Sequence, residues 1–134
     1  MSKILFIDEE IALVNMYRDI FEKRKYEFVT TFDVKKALEM TELEKPEIVL
    51  LDIVIPMPNN IIAEQGYDYL KMVKSNLKTK NIPIIVFSNL NTPEDRQKYK
   101  DLGAAAFIFK RDCSPREVVE TVEEVIRRSN LIKV

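Results

Sequence analysis

The stretch EIVLLDIVIPMPNN (residues 47–60) joins a short apolar run to a carboxylate and then to a loop with two prolines. Its first part has the length and composition of a buried β-strand, and Asp52 stands where that strand ends. A charged carboxylate beside an apolar run is costly unless a cation or hydrogen-bond donors accompany it. We therefore expect the rest of the chain to supply partners for Asp52.

The composition predicts one soluble globular domain and excludes several kinds of site. The 134 residues, 46% hydrophobic and 32% charged, are enough to bury a single core. The absence of histidine and the single Cys113 exclude serine-hydrolase triads, internal disulfides and most zinc sites. A net charge of −1 without a basic tract predicts no direct nucleic-acid binding. The lack of a long apolar segment predicts no membrane association, and hence a cytoplasmic protein.

Five strand-like segments alternate with five helix-like segments along the chain. Asp33, Thr92 and Ser114 are placed to cap helices at their N-terminal ends, and Gly103 is placed to end the fourth helix. The predicted strands cover 3–7, 26–30, 47–52, 83–88 and 105–110, and the predicted helices cover 10–24, 33–44, 66–77, 92 up to Gly103, and 114–128.

This alternation, with strands that are apolar throughout, predicts a doubly wound α/β fold, in which helices cover both faces of a parallel sheet. We expect one domain over 1–130 and a short tail over 131–134. The residues predicted to face the core are Ile11, Val14, Ile20 and Phe21 in the first helix, Val34, Ala37 and Leu38 in the second, Tyr67, Leu70 and Val73 or Met72 in the third, and Val118, Val122, Val125 and Ile126 in the last.

Polar side chains stand where the predicted strands end, which is where doubly wound sheets bind ligands. Asp8-Glu9-Glu10 follows the first strand, Asp52 the third, Ser88 the fourth and Lys110 the fifth. Crowded carboxylates raise one another's pKa unless a cation is present, and Mg²⁺ accepts one or two carboxylates with a carbonyl and water. A carboxylate nucleophile, Mg²⁺, a lysine and a hydroxyl are the parts needed to transfer a phosphoryl group to aspartate.

Each of these residues also has a purely structural interpretation. An acidic cluster is common at a helix N-terminus, and an aspartate at a strand end often caps a turn. Ser88 could bond its own backbone, and Lys110 could be a surface residue. The joint placement at four strand ends is what favours a functional site.

On these residues the chain resembles the receiver domains of two-component response regulators. The similarity extends along nearly the whole chain and is greatest to single-domain chemotaxis and phosphorelay regulators. It implies a flavodoxin-like fold, with five parallel strands in the order 2-1-3-4-5 and five helices. The motifs that carry it are FIDEE (6–10), LLDIVIP (50–56), IIVFSN (84–89) and GAAAFIFKRD (103–112).

The same resemblance implies a role for each residue of the site. The donor is expected to be a histidine kinase, a phosphotransfer protein or a small phosphodonor. Phosphorylation is expected to rearrange the face made by the fourth helix, fifth strand and fifth helix, for a downstream protein partner or an output domain. Such a protein is no turnover enzyme, since it catalyses only its own phosphorylation and slow dephosphorylation. The implied roles are phosphoacceptor for Asp52, Mg²⁺ ligands for Asp8, Glu9, Asp52 and the backbone carbonyl of Val54, phosphoryl contacts for Ser88 and Lys110, and conformational switch for Ser88 and Phe107.

Two departures from the family's pattern affect the backbone near the site. Arg111 follows the lysine where the family has a proline after a cis bond, so this peptide is either trans or held in cis at a cost of about 2.5–4 kcal/mol. The segment NIIAEQ delays Gly66 by about six positions, which indicates an insertion within 59–65. The insertion could gate access to Asp52, dock a partner or be a tolerated surface loop.

A third departure concerns the lifetime of the phosphorylated state. Val54 and Leu90 stand where the family tunes hydrolysis of the phospho-aspartate, and apolar side chains there cannot orient an attacking water. We therefore predict slow dephosphorylation. Phe107 lacks a hydroxyl, so burying it leaves no polar group unpaired, and either position of the ring is permitted.

Two other functions are compatible with parts of the pattern. A degenerate receiver would be a phosphorylation-independent interaction scaffold, which Arg111 and the insertion favour and the complete set of site residues disfavours. A small phosphohydrolase would carry a second acid two residues after its nucleophile, and Val54 occupies that position. Since only LIKV follows the last predicted helix, we expect either a stand-alone regulator or the receiver part of a longer protein.

Overall fold

The predicted parallel sheet is present in the computed structural model, which describes residues 2–56, 62–63 and 65–133. Its strands are β1 (Lys3–Ile7), β2 (Glu27–Thr31), β3 (Ile48–Leu51), β6 (Ile84–Ser88) and β7 (Ala106–Phe109), and a separate hairpin contains β4 (Ile55–Pro56) and β5 (Ile62–Ala63). The sheet order is β2-β1-β3-β6-β7, with every neighbouring pair parallel. This confirms the predicted order 2-1-3-4-5, because β6 and β7 are the predicted fourth and fifth strands.

Five helices follow the strands of this sheet, and three of them start directly after the residues that were predicted to cap them. Asp33 accepts the backbone N–H of Lys35 at 3.0 Å, and Thr92 forms a capping box with Asp95. Ser114 accepts the N–H of Glu117 at 3.2 Å. The helices are α1 (Ile11–Lys23), α2 (Val34–Glu44), α3 (Gln65–Ser75), α4 (Pro93–Asp101) and α5 (Pro115–Lys133).

The predicted boundaries hold to within two residues except at the end of α5. Gly103 follows α4 with a φ of 95°, the left-handed conformation expected just after a helix. The last helix continues to Lys133 rather than ending near Arg128, so residues 131–133 of the predicted tail are helical. The predicted end rests on the core-facing pattern, which stops at Ile126, whereas the residues that continue the helix include the exposed Leu131 and Ile132.

The sheet separates two apolar cores. The core under α1 and α5 contains a cluster of rings in which Phe6 and Phe87 meet edge to face at 5.7 Å. The core under α2, α3 and α4 contains Tyr69 and Tyr99, both fully buried. None of the helices in the described part of the chain is long and apolar enough to cross a membrane.

Most residues predicted to face the core do so, and two do not. Ile11 is 73% exposed because it begins α1, ahead of the turn that packs on the sheet at Val14. In α3, Val73 is buried and its neighbour Met72 is 53% exposed, which decides between the two alternatives.

The predicted insertion contains β5, which pairs with β4 in a separate two-stranded sheet. β4 and β5 are antiparallel, with Ile55 opposite Ala63 and Pro56 opposite Ile62, and Gln65 already belongs to α3. Residues 59–61 and 64 of the insertion lie outside the described residues. Its role as a gate, a docking element or a tolerated loop therefore stays a prediction.

Candidate functional site

A cleft of about 220 Å³ opens at the carboxyl ends of the central strands. Asp8 directly follows β1, Ser88 is the last residue of β6, and Lys110 directly follows β7. The loop after β3 contributes Asp52, so four strand ends converge as the sequence predicted. The residues that line the cleft are Asp8, Glu9, Glu10, Asp52, Val54, Ser88, Asn89, Leu90 and Lys110.

The ammonium group of Lys110 joins the two aspartates at the centre of the cleft. Its Nζ lies 2.7 Å from Oδ2 of Asp8 and 3.2 Å from Oδ2 of Asp52. All three side chains are largely removed from solvent, with exposed fractions of 13%, 1% and 11%. Two carboxylates and one ammonium leave this buried group one negative charge in excess when all are ionised. Asp52 therefore has the cationic partner that its position required.

The backbone around the site holds both aspartates in fixed orientations. The N–H of Glu10 donates to Oδ1 of Asp8 at 2.9 Å, which leaves Oδ2 for Lys110. The N–H of Val54 donates to Oδ1 of Asp52 at 3.3 Å. The N–H of Lys110 itself donates to the carbonyl of Ser88 at 3.1 Å, which fixes the start of the lysine side chain at the end of β6.

The electrostatics of the site make Asp52 a weaker acid than a free aspartate. Burial raises the pKa of Asp52 to about 6, and the charge of Asp8 acts in the same direction, while Lys110 opposes both. For Lys110, burial alone would lower the pKa, but the hydrogen bonds and charges of Asp8 and Asp52 outweigh it and raise the pKa. The ionised form of Asp52, which is the form that acts as a nucleophile, thus lies beside a cationic lysine.

A second wall of the cleft comes from the loop after β6. Ser88 is buried, and its Oγ accepts the N–H of Leu90 at 3.1 Å, so its own O–H remains available to donate. Leu90 is half-buried and packs against the core under α2, α3 and α4. The structure thereby places an apolar side chain and a hydroxyl side by side in this wall.

Phe107 is the one predicted site residue that does not line the cleft. Its ring is half-buried and stacks on Tyr99, with 5.2 Å between the ring centres and 24° between the planes. Phe107 therefore lies outside the lining of the cleft.

The peptide between Lys110 and Arg111 is trans, because no cis peptide bond occurs among the described residues. The N–H of Asp112 donates to the carbonyl of Phe109 at 3.1 Å and closes the turn after β7. Of the two alternatives for this loop, the structure thus has the trans form with a changed turn, and Lys110 still reaches both aspartates.

Two contacts of the site were not predicted from the sequence. Gly66, at the start of α3, donates its N–H to the carbonyl of Ile53 at 2.8 Å, so α3 rests directly on the loop that carries Asp52. Tyr99 of α4 donates its hydroxyl to the carbonyl of Leu90 at 2.8 Å. A lone aromatic residue within the charged segment PEDRQKYKD is the signal that could have drawn attention to Tyr99.

The donor groups of the cleft fit a hard divalent cation. The described residues contain no group of three or more Asp, Glu, His or Cys side chains arranged around a common point. Mg²⁺ does not need one, since it is typically bound by one or two carboxylates and completes its shell with water. Asp8 and Asp52 share the excess negative charge that such an ion would neutralise, and the loop at Val54 lines the same cleft.

The strand order and the acidic cleft at the strand ends define a doubly wound, flavodoxin-like α/β domain. Comparison of the sequence with models of known protein families identifies the family within this fold class. The family model described as response regulator receiver domain matches residues 4–123, and the chain belongs to that family.

Curated relatives of the chain include transcriptional regulators. The alkaline phosphatase synthesis transcriptional regulatory protein PhoP of Bacillus subtilis is 29% identical over 97% of this chain and 50% of its own length. A probable transcriptional regulator, ycf27, of Cyanophora paradoxa is 31% identical over 96% of this chain and 49% of its own length. The chain thus spans about half the length of these curated relatives.

Solved structures agree with the observed fold. The Vibrio cholerae chemotaxis protein CheY4 superposes with a TM-score of 0.78 at 25% identity, over 93% of this chain and 98% of its own. A CheY-like receiver domain protein of Methanospirillum hungatei superposes with a TM-score of 0.84 at 22% identity, over 97% of both chains. At these identities the structures support the fold rather than a shared activity.

Proposed function

We propose that this receiver domain accepts a phosphoryl group on Asp52 in a reaction that requires Mg²⁺, and that the phosphorylated domain binds a protein partner. The observation that carries the proposal is the position of Lys110 between Asp8 and Asp52 in a cleft that Ser88 also lines. A structural ion pair alone would not require a second buried carboxylate, a hydroxyl and an opening to solvent at the same point.

In the proposed reaction a carboxylate oxygen of Asp52 forms a bond to phosphorus, and the bond between phosphorus and the donor breaks. The donor's nitrogen or oxygen leaves with the electron pair of that bond. The ammonium of Lys110 and the hydroxyl of Ser88 stabilise the negative charge on the equatorial phosphoryl oxygens. Asp8, Glu9, Asp52 and the carbonyl of Val54 would hold the Mg²⁺, which would supply positive charge beside the phosphoryl group.

The partners follow from the same proposal. The donor would be a histidine kinase, a phosphotransfer protein or a small phosphodonor, and the protein would act in the cytoplasm without binding nucleic acid or membrane itself. The output would pass through the surface formed by α4, β7 and α5, where β7 is an edge strand of the sheet. Beyond its own phosphorylation and dephosphorylation the domain would catalyse no reaction.

The first prediction concerns the phosphorylation of Asp52. Intact-protein mass spectrometry after incubation with acetyl phosphate and Mg²⁺ should show a single phosphoryl adduct on the unmodified protein. Asp52→Asn should show none, because the amide is not a nucleophile at this position. Asp112→Asn, which changes an exposed aspartate in the turn after β7, is the matched control and should keep the adduct.

The outcomes of this experiment separate the proposal from the alternative. An adduct that requires both Mg²⁺ and Asp52 would support the receiver chemistry despite Arg111. An adduct that persists in Asp52→Asn would contradict the assignment of the phosphoacceptor. If no adduct forms and titration shows no Mg²⁺ binding, the domain is a phosphorylation-independent scaffold, the function that Arg111 and the insertion favour.

The second prediction is that the phosphorylated state decays slowly. Leu90 and Val54 both line the cleft, and neither carries a polar group that could orient a water molecule toward the phosphorus. After removal of the donor, the adduct should therefore persist for longer than minutes when followed by mass spectrometry. Leu90→Glu should shorten the lifetime several-fold, whereas Leu90→Met should leave it unchanged. Decay of the unmodified protein within minutes would contradict the prediction.

A further inference from the structure

Tyr99 connects the wall of the cleft to the interior of the domain. It is the only aromatic residue of α4, and its side chain is almost completely buried, with 1% exposed. Its hydroxyl donates to the carbonyl of Leu90 at 2.8 Å, while the N–H of Leu90 donates to Oγ of Ser88 at 3.1 Å. The backbone of Leu90 is thus held at one end by the cleft hydroxyl and at the other end by α4.

The ring of Tyr99 lies between two other aromatic rings. It stacks on Phe107 of β7 at 5.2 Å and on Tyr67 of α3 at 5.6 Å, with interplanar angles of 24° and 29°. The hydroxyl of Tyr67 donates to Oδ1 of Asp95, which is part of the capping box of α4. Aromatic side chains of α3, α4 and β7 therefore meet at Tyr99.

We propose that Tyr99 is a positioning residue that transmits a change at Ser88 to Phe107. This inference rests on the proposed function, because it starts from a phosphoryl group that takes up the hydroxyl of Ser88. When the O–H of Ser88 rotates toward the cleft, the lone pairs of Oγ turn with it, and the hydrogen bond from the N–H of Leu90 to Oγ changes its geometry. The peptide groups on either side of Leu90 shift as a result. The hydrogen bond between the Leu90 carbonyl and the Tyr99 hydroxyl then transmits this shift to Tyr99.

Phe107 receives this displacement through ring contact. It has no hydroxyl of its own, so its side chain cannot hydrogen-bond to the loop after β6, but its ring stacks on Tyr99, whose hydroxyl donates to the carbonyl of Leu90. Offset stacking favours a limited set of ring arrangements, so a shift of the Tyr99 ring changes the preferred position of the Phe107 ring. Removing the Tyr99 hydroxyl should break this link and keep the rings packed.

The test uses the full chain with 4-fluorophenylalanine at its phenylalanine positions and beryllofluoride with Mg²⁺ as the phosphoryl mimic. Fluorine NMR reports the bound beryllofluoride and the Phe107 resonance in one spectrum, and Phe107→Leu assigns that resonance. In the unmodified protein the Phe107 resonance should shift when the bound-fluoride signal appears. In Tyr99→Phe the bound fluoride should remain, and the shift at Phe107 should fall to about half or less, since one hydrogen bond of the link is missing.

Tyr26→Phe is the matched control, because it removes a hydroxyl that lies 3.4 Å from Glu123, away from the cleft. It should leave the shift at Phe107 unchanged. An equal shift in Tyr99→Phe and the unmodified protein would overturn the role of Tyr99. Absence of bound fluoride in the unmodified protein would instead overturn the proposed function. Labelling with 3-fluorotyrosine provides a second measurement, in which Tyr99→Phe assigns the Tyr99 resonance. A Tyr99 resonance that does not shift when beryllofluoride binds would also overturn the inference.

Discussion

Gly66→Ala is expected to lower the free energy of unfolding by about 3 kcal/mol and to impair phosphorylation of Asp52. A Cβ atom at this position would lie 2.4 Å from Cα of Ile53 and 2.6 Å from the carbonyl oxygen of Asp52. Both are backbone atoms, so no side-chain rotation can relieve the clash. Either α3 moves away or the Asp52 loop shifts, and the second change displaces the carboxylate from Lys110. Urea unfolding and mass spectrometry of the acetyl phosphate product measure the two effects.

The chain has one other glycine, Gly103, which provides a matched control. Gly103→Ala should cost only about 1–2 kcal/mol, because an alanine at φ 95° is strained. Its Cβ would meet the flexible side chain of Lys74 at 3.3 Å, and the site lies elsewhere. Phosphorylation should therefore be retained in Gly103→Ala. Equal destabilisation by the two substitutions would show that the close contact at Gly66 does not hold the Asp52 loop.

The fold was predictable because local and long-range signals agree. Caps at Asp33, Thr92 and Ser114 mark three helix starts, and the apolar strands allow only a sheet covered on both faces. The extension of α5 to Lys133 was missed because the core-facing pattern ends at Ile126, and Leu131 and Ile132, which continue the helix, are exposed. The hairpin of β4 and β5 was missed because two-residue strands are too short to show a periodic pattern.

The gathering of the site residues was predictable from one rule, that the carboxyl ends of parallel strands share an edge of the sheet. Its finer geometry was not. The sequence left both isomers of the Lys110–Arg111 peptide open, and the structure has the trans form. The contact of Tyr99 with Leu90 depends on how α4 packs against the loop after β6, and no spacing along the chain encodes that arrangement.

Asp52→Asn is also expected to have a large effect on stability. At pH 8 and in the absence of Mg²⁺, it should raise the free energy of unfolding by about 1–3 kcal/mol. Burial of Asp52 and the nearby charge of Asp8 raise its pKa from 3.8 to about 6, despite Lys110. The folded protein therefore binds more protons than the unfolded chain between these two pH values. Its stability falls as the pH rises through that window and stays reduced above it. An asparagine does not ionise, and Lys110 keeps Asp8 as its partner at 2.7 Å.

The pH dependence distinguishes this origin from a general packing effect. Urea unfolding at pH 8 should show the full gain of Asp52→Asn over the unmodified protein, and the gain should shrink as the pH falls toward 4. Saturating Mg²⁺ at pH 8 should also reduce it, because an ion bound by ionised Asp52 stabilises only the folded unmodified protein. Asp112→Asn, at an exposed position, should change the free energy of unfolding little at either pH. If the gain were the same at pH 4 and pH 8, ionisation of Asp52 would not be what destabilises the folded state. The carboxylate that phosphorylation needs would then have no cost in stability.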